Sequence, residues 1–504
     1  MLNAKLILDK DFVISEVDPR LYGGFIEHLG RAIYEGFYEP DHPSADNDGF
    51  RTDVLELVRT LDMPVMRYPG GNFVSGYNWE DGVGPVENRP RRLDPAWFTT
   101  EPNTFGTNEF VTWCRKANTA PMMAVNLGTR GPDEARALVE YCNHPGGTAW
   151  SDLRRSHGYE QPHDIKLWCL GNEMDGQWQM GHKTAYEYGR VAYEAAKLMK
   201  WVDPSIELVV CGSCGRSLPT FGAWEYEVLK HTYDLVDYVS LHTYFGNHEN
   251  NTANFLAKPD SMDAFIEEVV AMCDAVGAQL RRPRKLMLSF DEWNVWFHSA
   301  STPEQLGLPR WSEAPPILED IYTFEDALVV GGMLISLMNH ADRVKIGCIA
   351  QVVNVIAPIM TARGGAAWRQ PTYWPLLHAS QFGRGVVLRA VVDSPLYDCP
   401  EQQGTQTLKS TVMFDPETGA ITLFALNRSL TEDLVVDIDL RSFEAMQPDF
   451  WTLLKHEDLL AVNTEAEPDK VTPTCGGTPV IDGAKVTVKL LPASWNVIRL
   501  KPAK

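Results

Sequence analysis

Two glutamates, Glu173 and Glu292, stand just behind the segments Ile165–Leu170 and Lys285–Phe290, which read as buried strands. A carboxylate at such a place is costly to desolvate unless it is paired or used. Two carboxyls brought face to face are the minimal apparatus for cleaving a glycosidic bond. One protonates the departing oxygen while the other attacks the anomeric carbon or activates water. Other polar groups recur at equivalent places. Glu27 lies in Gly24-Phe25-Ile26-Glu27-His28, Arg67 and Asn72 in Arg67-Tyr68-Pro69-Gly70-Gly71-Asn72, and Asn172 beside Glu173. His242-Thr243-Tyr244, Asp291-Glu292-Trp293-Asn294 and Gln351-Val352-Val353-Asn354 complete the set. Asn172 has the donor and acceptor to hold a sugar hydroxyl, and Tyr244 has the hydroxyl to orient Glu292 or donate to it.

These groups need a scaffold that gathers the ends of distant strands. Eight strand-like runs can be read in order: Tyr22–Glu27, Pro64–Arg67, Met122–Leu127, Ile165–Leu170, Glu207–Gly212, Tyr238–His242, Lys285–Phe290 and Ile346–Val352. Helical stretches lie between them. Asp53–Leu61 puts Val54, Leu57, Val58 and Leu61 on one face, and Lys183–Trp201 and Ser261–Leu280 are longer. Such alternation predicts an α/β fold, a (β/α)8 TIM barrel, with a doubly wound open sheet as the structural alternative. In a barrel the polar groups named above sit at the carboxyl ends of the strands, and strands four and seven place Glu173 and Glu292 across the mouth from each other.

The texture changes after about residue 385. Short β-rich runs, among them Ser410–Phe414, Ile421–Leu426, Leu434–Leu440, Val486–Leu491 and Trp495–Leu500, alternate with turn residues, as a β-sandwich requires. Lys5–Ile14 reads as one strand that joins this sandwich. The expected organisation is therefore 1–18 as the N-terminal strand of the sandwich, 19–384 as the catalytic barrel and 385–504 as the C-terminal β-sandwich. The tail is expected to contribute stability or assembly and no catalytic residue.

Composition narrows the partners. The chain is 44 % hydrophobic and 22 % charged with a formal net charge of −22, which argues against nucleic acid and against an anionic membrane surface. No apolar run approaches the roughly 20 residues of a membrane span, and the N-terminus turns charged too soon for a signal peptide. Nine cysteines without framework spacing read as reduced thiols in a cytoplasm. Cys211-Gly-Ser-Cys214 has no second pair to complete a zinc site, and the thirteen histidines show no metal-ligand spacing. No G-x-G-x-x-G, P-loop, H-E-x-x-H or G-x-S-x-G is present. No metal and no organic cofactor is expected.

Gly171-Asn172-Glu173 together with a glutamate ending the seventh strand resembles clan A of the glycoside hydrolases. With Gly24-Phe25-Ile26-Glu27-His28-Leu29-Gly30-Arg31, Arg67-Tyr68-Pro69-Gly70-Gly71-Asn72-Phe73, Trp79-Glu80-Asp81-Gly82-Val83-Gly84-Pro85 and Asp291-Glu292-Trp293-Asn294-Val295-Trp296, the whole chain resembles glycoside hydrolase family 51, chiefly α-L-arabinofuranosidases. The resemblance implies that Glu173 is the general acid/base and Glu292 the nucleophile. It implies that Glu27, Arg67, Asn72, Asn172, Tyr244 and Gln351 contact the arabinofuranose, that His242 sits beside the acid/base, and that Trp296 forms a wall. It further implies exo action on arabinofuranosyl oligosaccharides and polysaccharides with retention of configuration, and a homo-oligomer, in the family often a hexamer. The rival readings are a relative acting on a β-glucan or xylan backbone, and a non-catalytic carbohydrate-binding protein.

Overall fold

Parallel strands that are buried on both faces read as continuous apolar runs, and eight such strands close on themselves here. In the computed structural model, which describes residues 1–503, they are β1 (Gly23–Phe25), β2 (Val65–Tyr68), β3 (Ala120–Ala124), β4 (Leu167–Leu170), β5 (Glu207–Cys211), β6 (Tyr238–Phe245), β7 (Met287–Val295) and β8 (Val344–Ala350). Each pairs in parallel with the next, and β8 pairs with β1 to close the barrel. Helices ring it, among them α1 (Thr52–Leu61), α2 (Ala185–Val202), α3 (Pro259–Gln279) and α4 (Phe324–Asn339). Helix α1 buries Val54, Leu55, Val58 and Leu61, whereas Leu57, read above as part of that face, is only partly buried. Helix α2 starts at a reciprocal cap in which Glu187 N–H donates to Thr184 Oγ1 (3.3 Å) and Thr184 N–H donates to Glu187 Oε2 (2.9 Å). Among the described residues no helix is long and apolar enough to cross a membrane.

The tail forms two sheets. One has the order Val391–Asp393, Leu2–Ile7, Leu434–Asp439, Lys485–Leu490, Val480–Asp482. The other runs Val13–Glu16, Val386–Leu388, Leu408–Phe414, Ile421–Asn427, Ser494–Pro502, Met446–Leu454, Thr474–Cys475. The N-terminal segment is thus two strands, one in each sheet, rather than the single strand read from Lys5–Ile14. A turn at Asp9 divides them: Asp11 N–H donates to Asp9 Oδ1 (3.0 Å) and Phe12 N–H to Asp9 O (3.1 Å). Between the sheets lies a separate apolar cluster that includes Leu6, Leu408, Val412, Leu423, Val436, Val488 and Ile498.

The seven-stranded sheet is buried on its other face too. Along Ile421–Asn427, the residues Ile421, Leu423 and Ala425 face the sandwich core, while Phe424 and Leu426 join the barrel's core. Helix α4 is the barrel's partner there, and it explains the longest apolar run of the sequence. A helix hydrophobic on all sides must be buried on all sides, and Phe324 through Met338 are all buried. Gly331 lets the helix approach Trp495: a Cβ on it would lie 2.6 Å from that ring. Trp495 has no room to retreat, being fully buried with its indole N–H on His378 Nδ1 at 3.1 Å. Gly331→Ala is therefore expected to destabilise the protein by roughly 1–3 kcal/mol, read as a lowered midpoint in thermal or urea unfolding. An unchanged midpoint would refute this tight seating.

Candidate active site

The carboxyl ends of the barrel strands converge on one open cleft. Eight of the ten residues singled out in the sequence line it: Glu27, Asn72, Glu173, His242, Tyr244, Glu292, Trp296 and Gln351. The other two, Arg67 and Asn172, are each 1 % exposed and lie beneath its floor, tied to it by hydrogen bonds.

Glu292 sits within β7, not after it, because β6 and β7 run on to Phe245 and Val295. Successive residues of a regular strand point to opposite faces. The pairing of β7 breaks register between Phe290 and Trp293 against β8, and that of β6 between Ser240 and His242. Such a bulge re-aims side chains, and here both Asp291 (1 % exposed) and Glu292 (5 % exposed) enter the buried cluster at the barrel mouth. Arg67 Nη1 donates to Glu292 Oε1 at 2.7 Å, and the Tyr244 hydroxyl donates to Glu292 Oε2 at 2.8 Å. The Arg67 Nη2 donates to Asn172 Oδ1 at 2.6 Å, and its guanidinium lies 4.6 Å from the centre of the Phe25 ring. With Oδ1 so engaged, the buried Asn172 Nδ2 has no partner among the described residues. Trp296 packs edge-on against Tyr244, with ring centres 5.3 Å apart.

Glu173 opens a tight turn after β4, its carbonyl accepting Gly176 N–H at 2.9 Å, with its φ at +45°, in the left-handed region. Such a conformation costs a non-glycine residue of order 1–3 kcal/mol and is held by its surroundings. Asp175 supplies part of that hold, accepting from Ser213 Oγ (2.7 Å), Thr220 Oγ1 (2.6 Å) and Cys214 N–H (3.0 Å), and so fastens the exit of β4 to that of β5. Glu173 Oε1 lies 2.9 Å from His242 Nδ1, and its Oε2 accepts from the Trp178 indole at 2.7 Å.

His242 joins the two glutamates. Burial alone would favour its neutral form, but Glu292, Asp291 and Glu173 around it outweigh that and hold its pKa up at about 10. The ring is an imidazolium at neutral pH. One ligand-type atom from each of Glu173, His242 and Glu292 falls within 4.8 Å of the other two, close enough to surround a cation. His242 itself supplies the positive charge. Glu27 shows the opposite balance. Burial, with Glu292 nearby, pushes its carboxyl up to about 8 although Phe73 N–H and Trp97 Nε1 donate to Oε1 at 2.8 and 3.0 Å. Gln351 holds it from behind, accepting Glu27 N–H at 2.9 Å. Gly71 leaves room for that carboxyl, since a Cβ there would lie 2.7 Å from Glu27 Oε2. Asn72 opens the short 3-10 turn Asn72–Gly76 on the same side.

Three contacts of this site were not legible above: Trp178 on Glu173, Trp97 on Glu27, and Asp291 on His242. The first two tryptophans lie on exit loops of the barrel face that carries chemistry, which was the available signal among fifteen tryptophans. Asp291 adjoins Glu292, and strand alternation would turn it away. From the tail, Glu401 reaches the cleft wall, where it accepts from Asn254 (2.8 Å) and Lys258 (2.9 Å) and touches neither catalytic candidate.

The arrangement can protonate an oxygen from one carboxyl while the other, held by a guanidinium and a phenol, attacks from close by. Two family models match the chain, an α-L-arabinofuranosidase 1 domain over residues 57–263 and an α-L-arabinofuranosidase C-terminal domain over 291–494. The chain is 57 % identical to an intracellular exo-α-(1→5)-L-arabinofuranosidase 1 of Bacillus subtilis, with 99 % of each chain covered. It is 58 % identical to an intracellular exo-α-(1→5)-L-arabinofuranosidase of Halalkalibacterium halodurans, again over 99 % of both. Among solved structures it resembles a family 51 α-L-arabinofuranosidase from Bifidobacterium longum, with a TM-score of 0.94 and 41 % identity over 99 % of each chain.

Proposed function

The chain belongs to the α-L-arabinofuranosidases of glycoside hydrolase family 51, and on that premise we propose that it is a retaining exo-α-L-arabinofuranosidase with Glu292 as nucleophile and Glu173 as general acid/base. Glu292 forms a bond to the anomeric carbon as the glycosidic bond breaks, and the departing oxygen takes the proton of Glu173. Water then attacks the same anomeric carbon, giving its proton to Glu173 and breaking the bond to the Glu292 oxygen, which releases arabinose and the Glu292 carboxylate. Arg67 and Tyr244 aim the nucleophile through their hydrogen bonds. The unpartnered Asn172 Nδ2 and the Glu27 carboxyl, protonated below about pH 8, offer donors to the sugar hydroxyls, and Asn72, Gln351 and Trp296 close the subsite around it.

The observation that carries this reading is the short reach between the carboxyls, whose nearest oxygens lie within 4.8 Å. Retaining enzymes hold their carboxyls about 5–5.5 Å apart, inverting ones about 6.5–9.5 Å. The expected result is α-arabinofuranose as the first product of an aryl α-L-arabinofuranoside, followed by proton NMR before mutarotation. A β-anomer appearing first would overturn the reading.

The substrate we assign is a non-reducing terminal α-(1→5)-linked arabinofuranose, on the strength of the relatives' linkage. The same relatives are named intracellular, and nine cysteines that are all free thiols suit a reducing compartment. Assembly into a homo-oligomer completes the proposal, and sedimentation of the purified chain tests it.

A further inference from the structure

The double displacement gives Asp291 no task, yet few side chains are more tightly engaged. It is 1 % exposed and does not line the cleft. Its Oδ1 accepts the Ser240 hydroxyl and lies 3.3 Å from His242 Nε2, which is itself 3.1 Å from Ser240 Oγ. Its Oδ2 lies 3.6 Å from Arg67 Nε, an N–H that has no hydrogen-bond acceptor among the described residues. The two cations it faces are the two that touch the reacting pair: His242 Nδ1 on Glu173 at 2.9 Å and Arg67 Nη1 on Glu292 at 2.7 Å.

From this geometry we infer that Asp291 is a positioning residue of the reaction: through Ser240 and His242 it fixes Glu173, and through Arg67 it fixes Glu292. The inference rests on the roles given to the two glutamates above. A carboxylate that orients an imidazole by one ring nitrogen, while the other nitrogen serves the chemistry, is a known device for keeping a ring in one protonation state and one direction. Charge balance points the same way. Asp291, Glu173 and Glu292 oppose His242 and Arg67, leaving one net negative charge, which the proton that Glu173 carries as an acid removes. Burial would raise the Asp291 carboxyl, but Arg67 and His242 more than compensate and keep it ionised. The charged groups facing the His242 ring are Glu173 from the exit of β4 and Asp291 and Glu292 from β7, with Tyr244 on its own strand held neutral by burial and by Glu292. Asp291 is the one of these carboxylates that the reaction does not alter.

The test uses the full-length enzyme with Asp291→Asn, which keeps size and removes the charge, and Ser240→Ala, which keeps the charge and cuts one link to His242. Asp291→Asn is expected to lower kcat by roughly 10–100-fold, the range for removing an outer partner of a site. KM should stay within about twofold, since Asp291 does not touch sugar. Its alkaline limb of kcat/KM should move down by about one pH unit, because removing one carboxylate charge weakens proton binding by the whole cluster built around His242. The loss should grow as the aryl leaving group becomes poorer, where Glu173 matters most. Ser240→Ala should shift the same limb in the same direction by less. If Asp291→Asn fails to fold, the Ser240→Ala profile decides alone. Unchanged kcat and pH profile in the folded variants would overturn the inference, and so would a uniform loss with an unmoved profile, which marks a merely structural part. If instead the Glu173 and Glu292 variants keep their activity, the underlying assignment fails, and that outcome is separate.

Discussion

Glu292→Ala is expected to lose turnover on arabino-oligosaccharide and aryl arabinoside alike, by a factor on the order of 10⁴–10⁶, as when one member of a catalytic unit is removed. No leaving group, however good, compensates for a missing nucleophile. The substitution also vacates the space between two donors, Arg67 Nη1 and the Tyr244 hydroxyl, which now point at Glu292 from 2.7 and 2.8 Å. Azide fits the charge and the size of that vacancy. Any rescue by azide should therefore come from direct attack on the anomeric carbon, and the arabinosyl azide should have inverted configuration. Product NMR reads this directly. Retained configuration, or substantial activity without azide, would remove Glu292 from the role of nucleophile.

Glu173→Ala should behave differently according to the leaving group. General acid/base help is worth typically 10²–10⁴-fold, and that help is needed in the first step only where the departing oxygen is basic. With an arabino-oligosaccharide the loss should reach this range. With an aryl arabinoside bearing a good leaving group the first step survives, and the arabinosyl-enzyme accumulates because nothing activates water. A burst of phenol followed by slow turnover is the expected trace. Azide needs no base, so it should restore turnover and give the arabinosyl azide with retained configuration. Equal losses on both substrates with no azide response would refute the role, and an inverted azide would exchange the roles of Glu173 and Glu292. The surroundings of Glu173 make the variant informative, since its Trp178 and His242 contacts are single hydrogen bonds at 2.7 and 2.9 Å, while Asp175 anchors the turn independently.

The order of strands and helices from which a barrel was expected, the β-rich tail and the two glutamates were legible in the chain itself. Each of these signals is a local property: an apolar run of strand length, a helical period, a polar group placed where a run ends. Hydrophobic burial acts on those patterns wherever they lie, so local pattern alone dictates which segments form the wall and which residues stand at its rim. It did not determine what those residues touch. Arg67, Asn172 and Glu292 form one hydrogen-bonded chain, and their meeting depends on barrel closure and strand register, which no local pattern encodes. The bulge in β7 is the clearest case. A period of two assigns Asp291 and Glu292 to opposite faces, yet the break in register against β8 turns both into the same cluster. The extra length of β6 and β7, the division of the N-terminus between two sheets, and the indole contacts to Glu27 and Glu173 were likewise decided only when distant segments packed. The charge state of His242 belongs with them. An isolated histidine is neutral above about pH 6.5; it is three carboxylates, two on β7 and one on the loop leaving β4, that raise this one's affinity for its proton.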